Sequence, residues 1–350
     1  MSSPTRTKGN VLARIALITF TVVACLLVME LALRVVSPLQ RFANPLHAFH
    51  DPDPDVGWRG RPGVHARFAT AEFDCEVRHD ARGLRAHESP VPHDGAPVWL
   101  FLGDSFTWGW GVDQGEPFTD LLQASVGPSI QVENRGLSGS GTVQQMLILR
   151  KRLAQEPKPE KVIVVFCPND FSDCVEPRTD RPFMVRDGDR MVVTNCPVEG
   201  GGLQSGIGRA ISSQSRLIST IRFAVNRIKS RVRQDRDGSG PSPSLTSDEI
   251  DSARECLSQM LAACKASGAA LTVMYTSMRG DMLPGPDSER RVALRTLCNE
   301  LAIPFVDPTD AMRAQSDTGP DALFFAQDNH WNPDGHRIVA EVIAQSLSAP

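Results

Sequence analysis

From Val98 to Leu347 the chain repeats one pattern: a short apolar run, a polar or glycine-rich turn, then a stretch of helical length. The apolar runs are Val98–Leu102, Ile130–Glu133, Lys161–Cys167, Leu271–Thr276 and Pro304–Asp307. The helical stretches are Pro117–Ser125, Thr142–Gln155, residues 248–267 and 287–302, and Pro333 to about Leu347. A strand that is apolar on consecutive positions must be covered on both faces, and strands joined through helices lie parallel. The reading is an α/β domain with a central parallel sheet, whose ligands bind beyond the carboxyl ends of the strands.

The rest of the chain fits around that domain. Its 350 residues, 41% hydrophobic and 22% charged, are ordinary globular composition, enough for one domain of about 200–250 residues with extensions. A net charge of −4 and a pI near 6.1 exclude nucleic acid as the expected partner. At the N-terminus, residues 1–14 carry Arg6, Lys8 and Arg14 and no acid, and Ile15–Met29 is uncharged before Glu30 and Arg34. The run to Leu33 spans a bilayer core as a helix with Glu30 near the interface. Basic residues ahead of it put 1–14 in the cytoplasm and everything after an anchor at 15–36 outside. Two cleaved forms compete. Met29–Arg34 is a poor signal-peptidase site, and Val22-Val23-Ala24-Cys25 resembles a lipoprotein box but is followed by further apolar residues.

Residues 37–95, rich in Pro, Asp, His and Gly, read as a juxtamembrane segment with short strands near Val64–Phe68 and Phe73–Arg78. Within it stands Asp51-Pro-Asp-Pro-Asp-Val-Gly-Trp58, and His47 and His50 beside Asp51 and Asp53 read as a polar loop rather than a metal site. An insertion at about 176–245 breaks the α/β rhythm. Inside it residues 206–233 place Ile207, Ile211, Ile218, Ile221, Val225, Ile228 and Val232 at helical spacing, with arginines on the other face. Such a helix either packs on the core or touches anionic lipid or glycan. Residues 234–247 read as a flexible loop. Of the eight cysteines, Cys167 reads as a core residue. Cys174 with Cys196, and Cys256 or Cys264 with Cys298, are candidate bridges in an oxidising compartment.

Four polar clusters sit at strand ends or a helix start: Gly103-Asp104-Ser105-Phe106-Thr107-Trp108-Gly109, Asn134–Gly141, Pro168-Asn169-Asp170, and Asp328-Asn329-His330-Trp331-Asn332-Pro333-Asp334-Gly335-His336. A serine that attacks an ester needs a base, a carboxylate to orient that base, and donors for the oxyanion. Ser105 is the candidate nucleophile, His330 the base and Asp328 the orienting group. The Ser105 and Gly139 N–H groups and the Asn169 amide are the candidate donors. Taken singly, each has a plainer reading. Asp104-Ser105 caps a helix, the glycines shape turns, Asn169-Asp170 is a common loop pair, Asp334 caps the last helix, and His336 packs within it. Their joint occurrence, in order, at successive sheet edges is what points to chemistry.

The four blocks resemble those of SGNH hydrolases, also called GDSL esterases and lipases, over about residues 97–345. The resemblance implies a flavodoxin-like three-layer α/β/α domain over 96–350. It also implies hydrolysis of acyl or acetyl esters with no metal or cofactor, and the roles just given for Ser105, His330, Gly139 and Asn169. The anchor and the Asp51–Trp58 segment look like a membrane-tethered bacterial branch. Two positions depart from the family pattern. Cys167 replaces a glycine in the third block. The fourth block is Asp-x-His rather than Asp-x-x-His, Gln327 at the usual spacing carrying no carboxylate. Asp-x-His-Trp also resembles SGNH-type acetyltransferases of exported polysaccharide. The expected substrate is a small ester or an acylated carbohydrate, with a lipid or thioester acyl chain next. The alternatives are an O-acetyltransferase and a non-catalytic carbohydrate-binding or scaffold protein, which would be expected to have lost Ser105 or His330.

Overall fold

The computed structural model describes residues 5–36, 46–70, 72–88, 92–198, 217, 244–315, 319–326 and 328–348. The expected basic helix over 206–233 and most of the loop after it lie outside the described residues.

The chain begins with helix α1 (Thr5–Val36), followed by α2 (Leu46–Phe49), β1 (His50–Asp53), β2 (Gly57–Gly60), β3 (His65–Ala69) and β4 (Asp74–Arg78). Next come β5 (Val98–Gly103), α3 (Ser105–Trp108), α4 (Phe118–Val126), β6 (Gln131–Gly136), α5 (Thr142–Leu153), β7 (Pro159–Phe166) and α6 (Asp170–Asp173). After the hairpin β8 (Phe183–Asp187) and β9 (Arg190–Thr194) follow α7 (Ser247–Ser267), β10 (Ala270–Tyr275), α8 (Glu289–Glu300), β11 (Phe305–Val306), α9 (Thr309–Ala314) and α10 (Pro333–Ser348). Each expected strand and helix of the α/β repeat is present, with its ends displaced by a few residues at most.

The central sheet has five parallel strands in the order β11-β10-β7-β5-β6. Every residue of β5 is buried, because alternate side chains enter two different cores. Leu100 and Leu102 join Val162, Val164 and Phe166 beneath α5, α7 and α8. Trp99 and Phe101 join Ile163 and Val165 beneath α4, α9 and α10. The result is the three-layer α/β/α sandwich. Local chemistry sets helix starts: at α7 the Thr246 hydroxyl accepts from the Glu249 N–H while Glu249 reaches back to the Thr246 N–H.

Three expectations are corrected. Residues 45–205 and 241–350 form one compact unit, so from residue 45 the segment read as juxtamembrane belongs to the same unit as the central sheet. It holds four strands, paired β1–β2 and β3–β4. His50 is buried against Trp108 rather than lying in a polar loop. All eight cysteines are free. Cys174, Cys256, Cys264 and Cys298 are instead small apolar residues of the core under α7 and α8. Cys196 is exposed, its thiol turned to the Asp55 carbonyl.

The other unit is described through α1. Its stretch Ala13–Leu33 is long and apolar enough to cross a membrane, with mean hydropathy 2.5 over the span and none of it buried.

Candidate active site

Three adjacent strands deliver the first three clusters to one edge. Gly103 ends β5 opposite Gly136 of β6, and Leu102 pairs with Val164 of β7. The loops to Ser105, Gly139 and Asn169 therefore leave neighbouring strand ends. Asp104 is the N-cap of α3, its Oδ1 accepting the Phe106 N–H at 2.9 Å. The plain reading of Asp104 as a cap thus holds, and it turns Ser105 out of the strand at the head of the helix.

The fourth cluster arrives on a small hairpin. Phe324 and Trp331 form an isolated β-bridge. The Phe325 N–H donates to the His330 carbonyl at 3.1 Å and the Asn332 N–H to the Leu323 carbonyl at 3.0 Å. Trp331 is fully buried, and its indole donates to the Ser277 carbonyl at 2.9 Å, just past β10. At the start of α10 it is the Asn332 side chain, rather than Asp334, that accepts the Gly335 N–H. Asp334 pairs with Arg337.

Together these elements place Ser105 Oγ 2.7 Å from His330 Nε2, and His330 Nδ1 2.5 Å from Asp328 Oδ1. The shortened Asp-x-His spacing is accommodated because Asp328 Oδ1 also accepts the backbone N–H of His330 at 3.0 Å, a tight local turn. Trp110, which the sequence reading did not single out, donates its indole N–H to Asp328 Oδ2 at 3.1 Å. Its ring stacks on His330 with centroids 5.1 Å apart, and Phe106 lies on the imidazole at 4.6 Å. Burial by itself would raise the Asp328 carboxyl. The His330 hydrogen bonds and charge, with the Trp110 N–H, outweigh it and hold Asp328 below the usual carboxylate range. Asp328 is therefore a fixed anion.

Around Ser105 lie groups of the opposite kind. Burial raises Asp104 to about 6 against the hydrogen bond from Phe106. Burial raises Asp170 well above the ordinary range, helped by the charges of Asp104 and Asp173. Cys167, in the position of the family glycine, is buried, and its thiol is pushed up by burial and by Asp104 and Asp170. It is a packed thiol rather than a nucleophile. His336 is buried with its Nδ1 accepting the Phe118 N–H at 3.2 Å, and burial lowers it to about 3. It is a neutral packing residue, as expected.

The candidate oxyanion donors differ among themselves. Ser105 N–H heads α3 and has no intrahelical acceptor. Gly139 adopts φ +77°, a conformation open to glycine without strain, and among the described residues its N–H has no acceptor. Asn169 is exposed, and one of its two amide N–H bonds is already made, to Asp173 Oδ2 at 2.7 Å. The sequence had left that amide free.

Residues 101–338 match the sequence model of the GDSL-like lipase/acylhydrolase family. Among solved structures the chain is similar to a member of the lipolytic G-D-S-L family from Veillonella parvula (12% identity, 73% of this chain and 100% of that one, TM-score 0.43). It is similar also to an acetylxylan esterase from Geobacillus stearothermophilus (16%, 73% and 95%, TM-score 0.40) and to a lipase/acylhydrolase from Enterococcus faecalis (16%, 72% and 95%, TM-score 0.40). At these identities the likeness carries no information on what this chain acts on. No curated protein matches the chain in sequence.

Proposed function

The chain belongs to the GDSL-like lipase/acylhydrolase family, and from that premise we propose that Ser105, His330 and Asp328 are its catalytic triad, cleaving a carboxylic ester through an acyl-serine. The observation that carries the reading is the unbroken relay from Ser105 Oγ to His330 Nε2 and from His330 Nδ1 to Asp328. Ser105 Oγ adds to the ester carbonyl as His330 Nε2 takes its proton. The oxyanion is held by the Ser105 and Gly139 N–H groups and by the remaining N–H of Asn169, whose amide Asp173 orients. As the tetrahedral intermediate collapses, His330 returns the proton to the leaving alcohol. Water then attacks the acyl-serine by the same route, and the carboxylic acid leaves.

The acyl group is short, an O-acetyl group on a carbohydrate or envelope substrate being the fitting class. Phe106 and Trp110 pack against the His330 ring, aromatic bulk beside the nucleophile that suits a small acyl group better than a long chain. The site works outside the cytoplasm on the α1 anchor: Arg6, Lys8 and Arg14 precede the apolar span Ala13–Leu33 closely or lie at its start. A sugar hydroxyl in place of water would make the enzyme an O-acetyltransferase. The feature that favours this is the Asp-x-His-Trp sequence, but Trp331 is fully buried on Ser277 and offers no face to an acceptor, so hydrolysis is the better reading.

The test is turnover of p-nitrophenyl acetate by the full chain in detergent micelles, beside Ser105→Ala and His330→Ala, with decanoate as the long-chain comparison. Turnover lost in both variants and higher on acetate supports the reading. Folded variants as active as wild type remove it. Accessibility of the catalytic unit to protease added outside intact cells tests sidedness.

A further inference from the structure

The segment Asp53–Trp58 takes no part in the reaction just described, yet it is built against the loop that carries Gly139. Asp53 Oδ1 accepts the N–H groups of Asp55 and Val56 at 2.9 and 3.1 Å, closing the β1–β2 turn. Gly57 has φ +90°, and a Cβ there would lie 2.1 Å from the Asp180 carbonyl oxygen, so only glycine lets the turn seat this closely. Gln144 ties the turn to the loop: its Nε2 donates to the Val56 carbonyl at 2.6 Å and its Oε1 accepts the Gly141 N–H at 3.1 Å. At the centre, Trp58 Nε1 donates to the Ser138 carbonyl at 3.1 Å. Arg181 donates to the next carbonyl, that of Gly139, at 2.9 Å, while its guanidinium lies 4.9 Å over the Trp58 ring.

The Ser138 carbonyl and the Gly139 N–H belong to one peptide unit. That unit is planar and trans, so the two groups point in opposite directions. A donor that fixes the carbonyl on one side therefore aims the N–H on the other. It also polarises the amide, making its N–H a stronger donor. The Gly139 backbone, without a side chain to hold it, would otherwise be free to rotate this peptide. We infer that Trp58 is a positioning residue for catalysis, setting the direction of the Gly139 N–H through the Ser138 carbonyl, with Arg181 locking the indole and the following peptide. The inference rests on the triad and oxyanion reading above. It explains why the Asp51–Trp58 motif is folded so closely onto the loop, since the turn presents one indole N–H to one peptide.

Trp58→Phe in the full chain tests this, because the ring under Arg181 is kept and only the N–H is lost. On p-nitrophenyl acetate kcat should fall roughly tenfold or more with KM within about twofold, since the donor acts on the tetrahedral state. A methyl trifluoromethyl ketone reports the same contact. Ser105 Oγ adds to its carbonyl carbon, His330 takes the proton, and the resulting oxyanion occupies the donor site. Its Ki should rise by the factor lost in kcat, with the melting temperature little changed. A folded Trp58→Phe with unchanged kcat and Ki overturns the inference while an inactive Ser105→Ala leaves the triad standing. A loss confined to KM, or a lower kcat with unchanged Ki, also overturns it, as either marks a role in binding or folding. An inactive wild type removes the triad reading and this inference together. If Trp58→Phe does not fold, Arg181→Lys is judged by the same kcat, KM and Ki criteria.

Discussion

The five-stranded sheet and the layer formed by residues 46–88 contribute to the site in different ways. The sheet is made of strands buried on both faces, and its connectivity alone carries Ser105, Gly139 and Asn169 to neighbouring strand ends. The layer consists of two separate strand pairs. Along β4 exposed and buried residues alternate, so only one face has a core, formed by Phe49, Phe68, Phe73, Cys75 and Val77 with Trp108. No reacting atom comes from it. It does, however, hold the indoles around the site: His79 accepts from Trp108 at 2.9 Å, Phe68 meets Trp110 edge-on at 4.7 Å, and Trp58 reaches Ser138. On the proposed reading, the sheet brings the reacting groups together, and the layer fixes the groups that aim them.

Substitutions in the two regions should therefore differ in kind. The largest effects belong to the residues delivered by the α/β repeat. Ser105→Ala and His330→Ala should each lower kcat/KM by about 10⁴-fold or more, and the double variant should be little worse, because the pair works as a unit. Asp328→Asn should cost on the order of 10³–10⁴ through loss of the oriented tautomer. The melting temperature of Ser105→Ala should stay near wild type, while His330→Ala and Asp328→Asn give up the stability that the paired carboxylate contributes and melt somewhat lower. A large additive loss in the double variant would break the relay into independent parts.

The layer should respond through aim and stability. Trp110→Phe keeps the ring on His330 and removes the N–H to the Asp328 anion. A hydrogen bond to a charged group is worth about 1.5–3 kcal/mol, so kcat should fall roughly tenfold with KM nearly unchanged. Phe68→Ala empties a site packed by Phe49, Phe73, Trp108 and Trp110 and should cost about 3 kcal/mol of unfolding free energy, with a smaller loss of kcat as Trp110 loosens. If Phe68→Ala lost that stability and kept full kcat, the layer would be packing alone and the contrast would fail.

The same contrast explains what could be read from the residues. Doubly buried strands such as Val98–Gly103 announce themselves as continuous apolar runs, and the groups at their ends follow by topology. The layer's strands, such as His50-Asp-Pro-Asp53, are four or five residues long and rich in charge, so their burial depends on partners far along the chain and periodicity is silent. Trp110 was visible only as a second tryptophan beside the serine block, and its role needs Asp328, 218 positions away. That Asp173 takes one N–H of the Asn169 amide is not legible in the sequence, because Asp173 faces it only once α6 forms. Cysteine spacing likewise says nothing about which thiols pack into a core and never meet.

The smallest effect concerns protons buried beside the nucleophile. Burial raises Asp104 to about 6, above its unfolded value near 3.8, so folding favours its neutral form. The stability this contributes is complete below about pH 4 and is lost as pH rises through about 6. Asp328 has the opposite sign: its depressed folded value contributes stability above the ordinary carboxylate range and loses it in acid. Asp104→Asn keeps a residue that caps α3 well and removes the titration. The buried neutral imidazoles of His336 and His79, lowered to about 3 and about 4, add stability as pH rises through the unfolded histidine range. The difference between the two proteins is therefore what isolates Asp104: measured by urea from pH 4 to 7, the stability of wild type relative to Asp104→Asn should decline by on the order of 2 kcal/mol. Asp170, raised in the same direction, keeps some slope in the variant. A variant with the full wild-type slope would move the buried proton to Asp170 and leave Asp104 ionised beside Ser105, sharpening the comparison.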